Sequence, residues 1–258
     1  MGDGIRRALW VALAVGAIGW IAARPAAASD PHALWRIVHD LCVVDMKASG
    51  LPAPCSAVNL KAGYAVLKDI RGATQMLLIP TDRISGIESP KLLAPQSPNY
   101  WQAAWSERRL FEQRAGRSAP RDDVGLAINS AYGRSQDQLH IHIDCVRPQV
   151  KAALKAHEAE IGTRWAPLDV PLAGRRYHAL RLMGEDLGAR DPFKLLAEGD
   201  ADARADMGRE TLVVIGEVFA GGQPGFVLLS DRADLISLDE GHGEALLDHE
   251  CKVLKGAG

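Results

Sequence analysis

Residues 138–146 alternate polar and apolar side chains without a break, with Gln138, His140, His142 and Asp144 set against Leu139, Ile141, Ile143 and Cys145. A period of two belongs to an extended strand with one face packed and the other polar. The segment therefore demands a sheet with a core behind it. It also sets two imidazoles and a carboxylate on one face, the histidines two residues apart and within reach of one phosphate or one metal ion. The chain carries 8 histidines in 258 residues. The other six (His32, His39, His157, His178, His242 and His249) fall on apparent helices or strands without partners and read as surface residues.

The flanking sequence supplies elements to build that sheet. Ser29-Asp30-Pro31 opens a helix with Pro at its first position, and Leu34, Ile37, Val38 and Leu41 follow at helical spacing. Tyr64–Lys68 and Met76–Pro80 read as strands joined by a turn around Arg71-Gly72. Residues 80–98 form a long loop rich in Pro, Ser and Gly, of the kind that often binds ligands. Ser97-Pro98 begins a second helix that Gly116 ends. Its Trp101 and Trp105 are four apart, share a face and read as core. Strands at 124–129 and 139–146 flank a polar turn at 130–137. Pro148 opens a helix to about Glu160. A strand at 177–182, a short helix after Asp191-Pro192, a hairpin of Leu212–Phe219 with 226–229, and a final helix over 244–254 carrying Cys251 complete the chain. Strands joined by short turns, with helices between, predict an α+β fold on an antiparallel sheet flanked by helices. No linker divides residues 29–258, which read as one domain.

Residues 1–28 stand apart. Arg6 and Arg7 precede an uncharged, mostly apolar run at 8–23, Arg24-Pro25 ends it, and Ala26-Ala27-Ala28 follows. These features describe a cleavable secretory signal, and they equally describe a short membrane anchor with Trp10 and Trp20 at its two interfaces. Both readings set the chain after Asp30 outside the cytoplasm. There the four cysteines are readable as disulfides. Three pairings are possible. Cys42 and Cys55 are close in sequence and flank a loop with Gly and Pro, which leaves Cys145 to tie a central strand to Cys251. No C-x-x-C pair suggests a metal knuckle. The net charge of -2 gives nucleic acid no electrostatic handle.

The run Asn129-Ser130-Ala131-Tyr132-Gly133-Arg134-Ser135-Gln136-Asp137-Gln138-Leu139-His140-Ile141-His142 resembles the histidine-triad (HIT-like) superfamily of nucleotide hydrolases and transferases, whose signature is His-φ-His-φ-His-φ-φ after a turn with Gly and Ser. Tyr64-Ala65-Val66-Leu67-Lys68-Asp69 and Leu77-Leu78-Ile79-Pro80-Thr81-Asp82-Arg83 resemble the two strands that precede it in that fold. Over about residues 32–255 the chain is similar to the bacterial CDP-diacylglycerol pyrophosphatase family. The shared segments are G-Y-x-V-L-K-D, I-P-T-x-R-I-x-G-x-E-S-P, A-I-N-S, G-R-S-Q, H-I-H-I-x-C, R-P and the late Cys.

The resemblance implies hydrolysis of CDP-diacylglycerol to CMP and phosphatidate through a cytidylyl-histidine, without a cofactor. The substrate is a membrane lipid, and the enzyme would sit at the bacterial inner membrane with its domain in the periplasm, held single-pass by the anchor or released after cleavage. Aligned on Ser135, the nucleophile is His140 and the third triad member His142, while Gln138 stands where the superfamily has its first histidine. The other register takes His140, His142 and Asp144, with His142 central; the turn and strand lengths favour the first. Ser135, Gln136 and Asn129 are implied donors to phosphate oxygens, and Asp69 the acceptor for ribose hydroxyls, with Lys68 beside it. Arg83 and Arg134 suit the second phosphate. Glu88 reads as shaping the long loop. Two other readings fit the same residues. One is a metal-dependent hydrolase using His140, His142 and Asp144. The other is a non-catalytic envelope protein that binds a liponucleotide, suggested by the missing first histidine.

Overall fold

The computed structural model describes residues 30–255. The signal or anchor expected at 1–28 lies outside them, and among the described residues no helix is long and apolar enough to cross a membrane. Ten strands form one sheet: β1 (Ala57–Asn59), β2 (Tyr64–Lys68), β3 (Met76–Pro80), β4 (Val124–Ile128), β5 (Ile141–Val146), β6 (Ala166–Pro167), β7 (His178–Met183), β8 (Leu212–Phe219), β9 (Gln223–Ser230) and β10 (Leu247–Asp248). Their order is β1-β2-β3-β5-β4-β8-β9-β7-β6, with β10 added against β5, and the pairings are antiparallel. The helices are α1 (Ala33–Arg36), α2 (Val43–Ser49), α3 (Tyr100–Ala115), α4 (Pro148–Ala156), α5 (Pro192–Gly199), α6 (Ala201–Ala205) and α7 (Lys252–Lys255). The expected α+β class and antiparallel sheet are what the chain adopts.

The period of two places Ile141, Ile143 and Cys145 of β5, with Leu139 before it, in one core. Helix α3 covers that face. Asn99 caps it by accepting a hydrogen bond from the Gln102 amide at 3.0 Å, and Gly116 ends it in the left-handed conformation at φ 71°. Helix α3 starts at Tyr100 rather than at Ser97-Pro98, because the side chain able to cap it is Asn99. Trp101, Trp105 and Phe111 are sealed against Met76, Leu78, Leu126 and Ile143, as the four-residue tryptophan spacing predicted.

The opposite face of β5 carries His142 and Asp144. Its apolar cover comes in two pieces. Ala65, Leu67, Leu77 and Ile79 pack under Val38, Cys42 and Val43 of the N-terminal helical segment. Ala127, Val213 and Ile215 pack under Val150 and Leu154 of α4, together with Leu246. His142 pairs with Leu77 on one side and Ala127 on the other, so the polar site lies in the seam between two apolar clusters.

Both ends of the chain differ from expectation. The N-terminal helix is wound as a π turn over Ile37–Cys42. The extra residue per turn rotates the apolar stripe, so Val38, Cys42 and Val43 pack while Leu41 is 48% exposed. Cys42 reaches Cys55, and Cys145 reaches Cys251, which is the pairing favoured by sequence proximity. The helix expected over 244–254 does not form. A 3-10 turn at Gly243–Leu246, the strand β10 and a left-handed Cys251 (φ 51°) replace most of it. Leu246 and Leu247 are both fully buried; pairing with β5 and the disulfide outweigh helical propensity.

Candidate active site

Strand β5 begins only at Ile141, so Gln138 and His140 belong to the turn that enters it. Gln138 is buried and its amide donates to the carbonyls of Pro80 at 3.0 Å and Asp82 at 2.9 Å, tying the turn to the loop after β3. It does not share a strand face with the histidines, as unbroken alternation had implied. His140 Nδ1 lies 2.8 Å from the carbonyl of Gln138. A carbonyl only accepts, so this contact assigns the proton to Nδ1 and leaves the Nε2 lone pair free. The rings of His140 and His142 meet edge to face with centroids 4.9 Å apart.

His142 is 4% exposed. Its Nδ1 is 2.7 Å from Nε2 of Gln75, a buried residue absent from the sequence reading. The same Gln75 nitrogen donates to the Asp69 carboxylate, which fixes the amide orientation. His142 Nδ1 therefore accepts, and Nε2 carries the proton. That Nε2 is buried without a protein partner, a donor directed at nothing in the protein.

Two carboxylates approach the Nδ1 side of His142: Asp69 at 3.8 Å and Glu244 at 3.6 Å. Glu244 comes from the C-terminal segment and is held by Asn129, whose Nδ2 donates to it at 3.0 Å and whose Oδ1 accepts from its backbone amide at 3.2 Å. Its other carboxylate oxygen is buried and unpartnered. Behind it, His249 Nδ1 meets Asp144 at 3.1 Å and His249 Nε2 lies 3.9 Å from Glu244. Thr74 donates to the same Asp144 carboxylate at 2.9 Å. His249, read from sequence as a surface residue, thus belongs to the site.

Burial depresses the pKa of both His140 and His142, His142 further because a charged His140 would repel it; Glu244 and Asp69 pull the other way without winning. Both imidazoles are neutral near pH 7. Burial raises Glu244, but His142, the Asn129 amide, Arg71 and His249 outweigh it, and Glu244 stays ionised. The hydrogen bond that His249 donates to Asp144 raises the pKa of His249, and burial raises that of Asp144. A neutral imidazole pair beside two carboxylates and a second His–Asp pair can attack an electrophilic phosphorus and bear the positive charge that results.

A narrow recess opens beside His140, lined by Ser85, Gly86, Asn129, Arg134 and Gln138 among others. Arg134 is clamped by Glu88 at 2.6 Å and Asp137 at 3.2 Å, and Ser85 donates to Glu88 at 2.6 Å. A Cβ at Gly86 would overlap the Arg134 guanidinium, so Ser85, Gly86 and Glu88 of the long loop form the seat of that arginine. Ser135 is exposed on the turn. A larger cleft of about 260 Å³ lies beside α4, lined by Arg147, Val150 and Pro171, away from the histidines.

Several expected residues are not brought to the pair. Lys68 spends its ammonium on the carbonyls of Asp69, Arg71 and Gly72. Gln136 accepts from the Leu34 amide at 3.0 Å and donates to the Asp30 carbonyl at 2.9 Å, docking the N-terminal helix instead of facing the site. Arg83 lies 3.0 Å from His32 and over the Trp35 ring. Asp144 is sealed against His249 and Thr74, so it does not converge with His140 and His142. Among the described residues no group of three or more His, Cys, Asp or Glu side chains is arranged to hold a metal ion. Asp69 and Asn129 do reach the site, though Asn129 does so through Glu244.

Comparison with known proteins follows the same lines. The family model described as CDP-diacylglycerol pyrophosphatase matches residues 29–255. A Yersinia pestis protein described as CDP-diacylglycerol pyrophosphatase is 46% identical over 226 residues, covering 88% of this chain and 86% of its own length.

Proposed function

The chain belongs to the CDP-diacylglycerol pyrophosphatase family, and on that premise we propose that it hydrolyses the diphosphate of CDP-diacylglycerol by way of a cytidylyl group carried on His140. The Nε2 lone pair of His140 attacks the cytidylyl phosphorus. An N–P bond forms, the bridging P–O bond breaks, and phosphatidate leaves with the electron pair. Its second pKa near ~6 makes it a leaving group that needs little acid help. The Nε2 proton of His142 binds a non-bridging oxygen. The imidazolium formed at His140 is offset by Glu244 and Asp69. Water then attacks phosphorus, the N–P bond breaks, His140 returns to its neutral form, and CMP leaves while the proton passes to product phosphate or solvent. The observation that carries this reading is the edge-to-face pair at 4.9 Å with a lone pair on one ring and an unpartnered N–H on the other.

Gln138 and Asn129 act as positioning residues, the first for the turn carrying His140 and the second for Glu244. Arg134 and Ser135 line the approach of the second phosphate. The HIT-like ancestry rests on the turn and strand around G-R-S-Q and H-I-H. Residues 29–258 act as one domain, with 1–28 as signal or anchor. Its place is the periplasmic side of the inner membrane, a compartment that keeps two disulfides oxidised.

The test is trapping. Wild-type enzyme quenched in alkaline denaturant during turnover, where phosphoramidates survive, carries a CMP adduct on His140 by peptide mass spectrometry. His140→Ala carries none and shows no turnover, and EDTA leaves the wild type fully active. An adduct on His142, or activity lost to EDTA and restored by a metal, refutes the mechanism.

A further inference from the structure

Three large aliphatic side chains stand exposed on one turn, and an exposed tyrosine lies on a neighbouring turn that is hydrogen-bonded to the segment after it. Leu235, Ile236 and Leu238 are 48%, 97% and 85% exposed, and Tyr132 is 47% exposed. Single exposed aliphatics are ordinary, but a cluster presented on one turn is not. The turn is well built. Asp234 caps it by accepting from the Ile236 amide, the backbone closes through Leu238 at φ 61°, and Asp234 and Asp239 bridge its base.

Its location supplies a use for these side chains. Two residues beyond Leu238, the Glu240 carbonyl accepts from the Ser130 hydroxyl, and the Tyr132 amide donates to the same hydroxyl at 3.0 Å. Ser130 and Tyr132 open the turn that ends in His140, and Glu240 leads into Glu244. The first described residues meet the same turn at its far side. The Asp30 carbonyl accepts from Gln136, and the Pro31 carbonyl accepts from the Asp137 amide at 2.7 Å, both on that turn. Asp30, which follows the apolar run at 8–23 in the sequence, is thus bonded to the turn that also carries Tyr132.

We propose that Leu235, Ile236, Leu238 and Tyr132 form a lipid-docking crest that seats the mouth of the site on the bilayer surface. The inference rests on the reading that the substrate is diacylglycerol-linked. Its acyl chains remain in the membrane while its diphosphate must reach His140. Aliphatic tips enter the acyl boundary, and tyrosine suits the headgroup level.

The full-length protein is assayed on two substrates: long-chain CDP-diacylglycerol in phosphatidylcholine vesicles, and a dihexanoyl analogue below its micellar concentration. The double variant Ile236→Glu, Leu238→Glu loses about tenfold or more on vesicles, since each buried aliphatic contributes more than a tenfold factor. It stays within about twofold of wild type on the soluble analogue, because the crest touches no reacting group. Ile70→Ser, which alters a fully exposed residue on the turn between β2 and β3, leaves both rates unchanged. Equal vesicle rates for double variant and wild type overturn the crest, as does an equal loss on both substrates or an equal loss in Ile70→Ser. A loss that tracks dissociation of a dimer in light scattering assigns the crest to a second copy and also overturns it. If the wild type turns over neither substrate, the failure lies with the proposed function.

Discussion

Replacing Glu244 by Gln tests whether the carboxylate behind the histidine pair supports chemistry or only architecture. The substitution keeps size and leaves an oxygen to accept from Asn129, so the cradle at 3.0 Å survives. What it removes is a negative charge 3.6 Å from His142 Nδ1, one ring away from the nitrogen on which positive charge develops. A full pair at about 4 Å is worth about 4 kcal/mol at an effective dielectric of about 20. His140 lies a further ring out and only part of its charge has formed at the transition state, so about 1.4–2 kcal/mol is a fair share, or about ten- to thirtyfold in kcat. The sign of the accompanying pH effect is fixed. Glu244 favours the protonated imidazoles, so its loss lowers their pKa values further and moves the acid limb of the profile to lower pH while the plateau falls. The assay is kcat and KM on CDP-diacylglycerol from about pH 4.5 to 8. A plateau within twofold of wild type, or an acid limb that stays in place, would refute the electrostatic role.

Other expectations follow from the C-terminal segment. Replacing Cys145 and Cys251 by Ser opens a loop of sequence separation 106 and lowers stability by about 4–5 kcal/mol in chemical denaturation; kcat falls as well, because Glu244 and His249 lose their anchor, and unchanged kcat in the folded variant contradicts that link. In Asp144→Asn, His249 titrates at lower pH by NMR. His249 has its folded pKa raised by Asp144, so the stability this pair contributes is present below the unfolded value and lost as pH rises through the folded one. The variant is accordingly more destabilised relative to wild type at about pH 6 than at about pH 9, and a pH-independent difference removes the pairing.

Much of the frame was legible because periodicity is local. Strands β2 and β3 match their expected bounds, and the alternation in β5 sorts Ile141 and Ile143 from His142 correctly. The entrance to β5 was misread for a physical reason. A polar side chain at every second position looks the same whether the backbone is paired or turning, and only the long-range bonds of Gln138 to Pro80 and Asp82 reveal the turn. Glu244, His249 and Gln75 were invisible for another. Gln75 sits just before β3 with nothing in its neighbours to distinguish it, and the other two lie about a hundred residues from the strand they serve. One signal did point to them. Cys145 follows Asp144 and was expected to bond Cys251, two residues beyond His249; that linkage alone brings the C-terminal segment across β5. The apolar spacing after Glu244 suggested a helix instead, and burial of two successive leucines overrode it.

The chemical centre and the turn that enters it are tied to distant parts of the polypeptide: Gln136 and Asp137 of the turn are bonded to Asp30, Pro31 and Leu34, and Asn129 and His142 meet Glu244. A chain still emerging from the ribosome has its nucleophile but not the carboxylate that steadies it. Competence is thus deferred until Cys251 has found Cys145, so a chain cut before Glu244 keeps most of its sheet and loses the carboxylate beside its histidine pair.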